Sequence, residues 1–133
     1  MSAFGAAGRR DSIGAPFWEG CQRGELLFQK CGSCGHAQYP PLPLCGKCQS
    51  ENLAWTPSSG RGSLYTHSVV TRPLDASFEA PYIVIIIAMD EGWYMLSNLV
   101  GVEPGAMEIG MGVEVFFDKT RDGAVLPKFR ARA

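Results

Sequence analysis

The sequence predicts a mainly β protein: an N-terminal helix, a small cysteine-stapled module, then a five-stranded Greek-key barrel of the OB type. Three observations predict it. Four cysteines stand in two CxxC pairs, Cys31/Cys34 and Cys45/Cys48, with ten residues between the pairs. Beyond Pro57 come five β-rich segments broken by Gly and Pro. Before the cysteines, Pro16 and Gly24 bracket a stretch with helical start and stop signals.

Taken in order, residues 1–15 are rich in small side chains and carry Arg9 and Arg10 without an apolar segment. This reads as a flexible arm, not a signal peptide. Residues 16–24 form the helix, with Phe17 and Cys21 four apart on one face. Gly20 weakens it, so the helix depends on docking against something. Cys21 on that face reads as a small buried hydrophobe in preference to a nucleophile. Residues 25–56 are the cysteine module: Leu26–Lys30 leads into the first knuckle and Asn52–Thr56 returns from the second. Pro40, Pro41 and Pro43 make residues 35–44 a loop. Residues 57–133 supply the barrel strands: Gly62–Thr71, Tyr82–Met89, Trp93–Val100, Val113–Asp118 and Val125–Arg130. Asp90, Glu91 and Gly92 turn the second into the third. The Ile83–Ile87 run is apolar on both pleat faces, so it is central or covered by a partner. Phe129 is expected to close the core.

Each CxxC turns two thiolates inward from one tight knuckle, and two facing knuckles make the tetrahedral sulfur cage that Zn²⁺ prefers. Gly32, Gly35 and Gly46 suit the backbone's approach to the sulfurs. A disulfide pair competes less well, because a chain without a secretory signal is expected in the cytoplasm, where such spacing means metal. Rubredoxin-type iron has the same ligands, so spacing leaves zinc and iron open. With four cysteines present, His36 reads as a loop residue, and a closed site makes the metal structural.

At 133 residues with formal net charge −1, the chain supports one modest core and a satellite module. Its apolar run at 82–89 is too short to span a bilayer. Charge is unevenly distributed. From Pro73 to Asp118 there are eight acids and no Lys or Arg, while the last fifteen residues carry Lys119, Arg121, Lys128, Arg130 and Arg132. A zinc-ribbon/OB protein that binds single-stranded nucleic acid is the alternative function. Phosphate would be repelled by the acidic region around the second and third barrel strands, which counts against it. His67 and His36 are the only histidines, and no spacing pairs His67 with a carboxylate, so no catalytic residue is assigned.

Several segments together carry a resemblance. They are Phe17-Trp18-Glu19-Gly20, Leu26-Leu27-Phe28-Gln29-Lys30-Cys31, Tyr39-Pro40-Pro41, Cys45, Cys48, Trp55, Ser59-Gly60-Arg61-Gly62, Ala80-Pro81-Tyr82, Leu96-Ser97-Asn98-Leu99-Val100-Gly101, Ile109-Gly110-Met111 and Leu126-Pro127-Lys128-Phe129. Over nearly all of residues 16–130 the chain resembles the acyl-CoA-associated OB-fold proteins that carry a rubredoxin-like zinc ribbon. Gly46 departs from the proline that the family often has there. The resemblance implies a helix, a structural zinc ribbon over 25–56 and an OB barrel. It also implies an accessory subunit of a thiolase-like enzyme in acyl transfer or carbon–carbon cleavage, including steroid side-chain degradation, with a CoA thioester shared between subunits. Cations for the CoA phosphates would then come from Arg61, Arg72, Lys128 and Arg130. Phe17, Trp18, Trp93 and Phe116 are the candidate anchors for the partner, because interfaces favour large aromatics.

Overall fold

The computed structural model describes residues 13–71, 82–120 and 123–132. Most of the expected arm and Arg72 lie outside them. Helix α1 spans Ala15–Gln22, with Pro16 in its first turn. At its end Gly24 adopts φ +78° and the Glu25 N–H donates to Gly20 O at 2.8 Å, so the chain reverses at once. Gly20 has a reason: a Cβ there would stand 2.9 Å from Glu25 O and from the Leu27 side chain. The helix docks through that contact and buries Phe17 and Cys21.

Three strands follow, β1 (Leu27–Cys31), β2 (Ala37–Gln38) and β3 (Leu53–Pro57), in the antiparallel order β2-β1-β3. The stretch 35–44, expected to be loop throughout, therefore supplies a two-residue strand before its prolines. Two buried glutamines hold the rest of it. Gln38 Nε2 donates to Gln29 Oε1 at 2.8 Å, which also accepts from the Leu42 N–H at 2.9 Å, and Gln29 Nε2 donates to Leu42 O at 3.1 Å. Buried amides are tolerable only when satisfied in this way.

The barrel strands are β4 (Arg61–Val70), β5 (Tyr82–Met89), β6 (Tyr94–Leu99), β7 (Gly112–Lys119) and β8 (Val125–Ala131). They close in the order β4-β5-β6-β8-β7, giving the expected five-stranded OB-type barrel. Only the β6/β8 junction is parallel, and it rests on the single pair Leu99↔Phe129. The turn at 90–92 joins β5 to β6 as expected, with Gly92 N–H bonded to Met89 O. Strand β5 is central, between β4 and β6. Its Ile83, Ile85, Ile87 and Met89 point into the core, while Val84, Ile86 and Ala88 are half-buried on the outer face.

Helix, β1–β3 sheet and barrel share one core. Phe17, Cys21, Leu26 and Phe28 belong to the same cluster as Leu64, Ile85, Trp93, Val113 and Phe129. An aromatic seam joins them: Phe28 stacks on Trp93 at 5.3 Å between centroids, Tyr39 meets Trp93 at 5.6 Å and Phe17 at 5.1 Å, and Phe17 meets Trp18 edge-on at 4.9 Å. Such pairs add about 0.5–1.5 kcal/mol each beyond the area they bury. The expectation that Phe17 and Trp93 anchor a partner is thereby corrected. They are 1% and 2% exposed, and large rings at the seam between modules are consumed by the protein's own core.

Candidate metal centre and flanking surfaces

The two knuckles are built alike. Cys31 N–H bonds His36 O and Gly35 N–H bonds Cys31 O; Cys45 N–H bonds Ser50 O and Gln49 N–H bonds Cys45 O, all at 2.9 Å. Within each, two backbone N–H groups point at the first sulfur: Ser33 and Cys34 at Cys31 Sγ (3.4 and 3.5 Å), Lys47 and Cys48 at Cys45 Sγ (3.4 and 3.5 Å). Closing the loop requires a left-handed residue four after the first cysteine. Gly35 takes it at φ +79° and Gln49 at φ +63°, the latter against the preference of a residue with a Cβ.

The fit to a metal follows from the sulfurs. All four lie within 4.8 Å of one another, with Cys31–Cys48 and Cys34–Cys45 at 3.6 Å. Tetrahedral Zn²⁺ at about 2.3 Å from each sulfur requires an S···S edge of about 3.8 Å. The thiols also cannot all ionise unaided. The Cys34 N–H leads the groups that draw Cys31 down to about 6, against burial, and the Cys48 N–H leads those that lower Cys45. At Cys48 the Ser50 N–H pulls down but is outweighed by the Cys34, Cys31 and Cys45 side chains and by burial, and the thiol rises to about 12. Four thiolates this close need a divalent cation between them. His36 lies outside the cluster.

Around this centre, Gln38 Oε1 accepts the Gly46 N–H at 2.8 Å, so the Gln29–Gln38 pair holds the second knuckle as well as the proline loop. That bond accounts for a residue other than proline at 46. Sequence reasoning missed the pair; the signal was a Gln directly after the apolar run Leu26–Phe28. Cys21 is buried among the seam residues, and burial pushes its thiol up to about 12, so it is the inert hydrophobe expected.

The structure brings three of the four expected CoA cations to one wall. Glu114 is the register partner of Arg61 on one side and Arg130 on the other, and Phe116 pairs with Lys128. Two of its cations are paired within it. Lys128 Nζ bonds Asp118 at 2.7 Å, Arg130 reaches Glu114 at 3.6 Å, and the Arg130 guanidinium lies 5.8 Å from the Phe116 ring centroid. Trp18 is separate: with Leu96, Asn98, Pro127 and Lys128 it lines a shallow groove of about 130 Å³ where β6 and β8 diverge. His67 is exposed on β4.

A further residue was missed. Glu91, in the β5–β6 turn, accepts hydrogen bonds from Ser58 Oγ (2.8 Å), the Ser59 N–H (2.7 Å) and Trp93 Nε1 (3.1 Å). It ties the segment leaving β3 to the barrel hairpin.

Comparison with known proteins agrees with this geometry. Residues 18–54 match the model described as ChsH2, rubredoxin-like zinc ribbon domain, and residues 55–118 that of the ChsH2 C-terminal OB-fold domain. A probable enoyl-CoA hydratase alpha subunit of Thermomonospora curvata is 34% identical over 115 residues, covering 86% of this chain and 36% of that protein. This chain thus spans about a third of that relative's length. A DUF35 domain-containing scaffold protein of Methanothermobacter thermautotrophicus is 35% identical, over 76% of this chain and 77% of its own. The benzoylsuccinyl-CoA thiolase subunit BbsA of Thauera aromatica is 30% identical over 73% and 66%. Among solved structures, the Ltp2-ChsH2(DUF35) aldolase superposes with a TM-score of 0.82 at 33% identity, covering 91% of this chain and 95% of that one. With its four-cysteine ribbon and the barrel as far as β7 each matched in sequence order, the chain belongs to the ChsH2-like, DUF35 family of zinc-ribbon OB-fold proteins.

Proposed function

We propose that this chain is a non-catalytic accessory subunit of a thiolase-like acyl-CoA enzyme, holding the partner in its active form and helping to shape the CoA channel. One observation carries the reading. The helix, ribbon and barrel match as a unit a chain of the Ltp2-ChsH2(DUF35) aldolase, and relatives are named as a scaffold, a hydratase alpha subunit and a thiolase subunit. The reaction served is acyl transfer or thiolytic or retro-aldol carbon–carbon cleavage. The hydratase alpha subunit of Mycobacterium tuberculosis, named for a pregnadiene carboxyl-CoA, supports steroid side chains as one substrate class.

In this reading Cys31, Cys34, Cys45 and Cys48 hold structural Zn²⁺, which supplies folding energy and leaves no open coordination position. A colourless metal-loaded protein, with one zinc per chain by elemental analysis, is expected; a red iron-type spectrum refutes zinc. Arg61 is the better-placed cation for CoA phosphate, since Lys128 is held by Asp118 at 2.7 Å and Arg130 reaches Glu114 at 3.6 Å. Single-stranded nucleic acid is disfavoured because the β5–β6 wall carries no Lys or Arg.

The test is co-purification from the native cell. A thiolase-like or other acyl-CoA enzyme is expected with the tagged chain, with turnover that falls when the chain is stripped away and returns when it is restored. Recovery of no such enzyme, or turnover by the chain alone, refutes the proposal.

A further inference from the structure

The four sulfurs of the metal centre are not equivalent. Cys31 and Cys45 are each 1% exposed, and each Sγ accepts two backbone N–H groups at 3.4 and 3.5 Å. Cys34 and Cys48 stand at the surface. The residues around them, 32–35 and 46–49, are exposed as well, so a small solute reaches both outer sulfurs from water. The short contacts run across this division. Cys34 Sγ lies 3.6 Å from Cys45 Sγ, and Cys48 Sγ lies 3.6 Å from Cys31 Sγ. Each outer sulfur thus meets an inner one, and each contact joins the first knuckle to the second. Ser33 Oγ and Ser50 Oγ, 3.0 Å apart, tie the same two knuckles on the exposed side. Buried structural thiols are inert for want of access, whereas an accessible thiolate beside a second thiolate is the arrangement that peroxide oxidises.

We propose that the ribbon is a peroxide-responsive site, in which the outer sulfurs take the oxidant and the inner ones resolve them as disulfides across the knuckles, Cys34–Cys45 and Cys48–Cys31. Bound zinc holds all four cysteines as thiolates. The Cys34 thiolate attacks one oxygen of hydrogen peroxide; the O–O bond breaks, leaving a sulfenic acid and one hydroxide. Cys45 Sγ then attacks the Cys34 sulfur, the S–S bond forms, and the second hydroxide leaves. Two thiolates and one peroxide become one disulfide and two hydroxides, with two electrons passing from sulfur to oxygen. A disulfide sulfur is no longer an anionic donor. The first event leaves two thiolates in the cage, and the second, at Cys48 and Cys31, leaves none to hold the metal. Because both disulfides run between the knuckles, they replace the cross-link that the metal supplied, and the ribbon that carries Phe28 and Tyr39 into the aromatic seam stays closed. Oxidation therefore exchanges one staple for another and releases zinc from a folded chain.

The experiment takes the full zinc-loaded chain and adds hydrogen peroxide in steps. Zinc release is followed with a chromogenic chelator, cysteine state by tandem mass spectrometry, and the seam by near-UV circular dichroism. The expected result is loss of the bound zinc for roughly two peroxides consumed, with the Cys34–Cys45 and Cys31–Cys48 disulfides formed and Cys21, buried in the seam, still a thiol. The dichroism is expected to persist where that of the reduced, chelator-stripped chain is lost, and dithiothreitol with added zinc is expected to restore the loaded form. Disulfides within the knuckles, Cys31–Cys34 and Cys45–Cys48, overturn the inference, as does oxidation to sulfinic acids without disulfides. Dichroism lost to the same extent as in the stripped chain overturns the exchange of staples. Iodoacetamide labelling of the loaded, unoxidised chain gives a separate check: Cys34 and Cys48 are expected to react at least about tenfold faster than Cys31 and Cys45, and equal rates overturn the division between outer and inner sulfurs.

Discussion

Replacing Glu91 with glutamine tests how the ribbon is fastened to the barrel. The carboxylate accepts three hydrogen bonds: Oε1 from Ser58 Oγ at 2.8 Å and Trp93 Nε1 at 3.1 Å, Oε2 from the Ser59 N–H at 2.7 Å. An amide offers one acceptor oxygen, so in either orientation at least one donor faces an NH₂. Losing one charge-assisted bond and opposing two donors costs about 2–3 kcal/mol, taking about 1.5–3 kcal/mol for a hydrogen bond to a charged group. In a chain of this size that corresponds to roughly 3–5 °C of melting temperature per kcal/mol. The pH dependence gives an independent check. Burial alone would raise the Glu91 carboxyl, but the Ser59, Ser58 and Trp93 donors outweigh it and hold it below the ordinary carboxylate range. With the folded value below the unfolded one, the stability that Glu91 contributes is present above the unfolded carboxylate range and disappears as pH falls through the folded value. Urea unfolding followed by tryptophan fluorescence should therefore show wild type and Glu91→Gln well separated at neutral pH and converging in acid. A gap under about 0.5 kcal/mol at neutral pH, the usual size of a plain surface change, refutes the clamp; so does a gap that stays constant into acid.

Three further outcomes follow from the geometry. Cys31→Ser, or removal of zinc by a chelator, should abolish metal binding and loosen the aromatic seam, since Phe28 and Tyr39 belong to the ribbon while Trp93 belongs to the barrel; near-UV circular dichroism and elemental analysis report the two together. A variant that stays folded and partner-bound but loses turnover would make the site catalytic. Gly46→Pro removes the N–H that Gln38 Oε1 accepts at 2.8 Å and should cost about 1–3 kcal/mol in urea unfolding. Trp93→Ala should cost about 3–5 kcal/mol as a core truncation, whereas Phe116→Ala on the ion-paired wall should stay near 1 kcal/mol; equal costs would contradict the burial of Trp93.

The parts legible in the sequence are those that local chemistry dictates. CxxC spacing fixes a knuckle within four residues, and each of the five barrel strands lies within one residue of its expected bounds. Tyr82–Met89 is bounded as expected, and Phe129 is fully buried, as expected of the residue that closes the core. What was illegible depends on contacts distant in sequence. Phe17, Phe28, Tyr39 and Trp93 are each merely large and aromatic when read singly, and only the folded chain decides that they meet one another instead of a partner. Strand β2 is two residues long and exists through its pairing with β1, so no periodicity announces it.

Charge shows the same division. The sequence reads residues 73–118 as an acidic stretch, which suggests an acidic surface. In three dimensions the described acids of that stretch separate. Asp90 and Glu91 go to a turn, Glu103 and Glu108 to the connection before β7, and Glu114 and Asp118 to the outer face of β7, where Arg130 and Lys128 meet them. Strands β5 and β6 are left with no charge at all, and β4 completes their wall with hydroxyl side chains. An absence of Lys and Arg that looked like repulsion of phosphate is therefore better understood as the making of an apolar face. That distinction bears on the two functions weighed from sequence. A nucleic-acid site needs cations where the strands are bare, whereas a protein partner needs the bare wall itself, with charge confined to its edges.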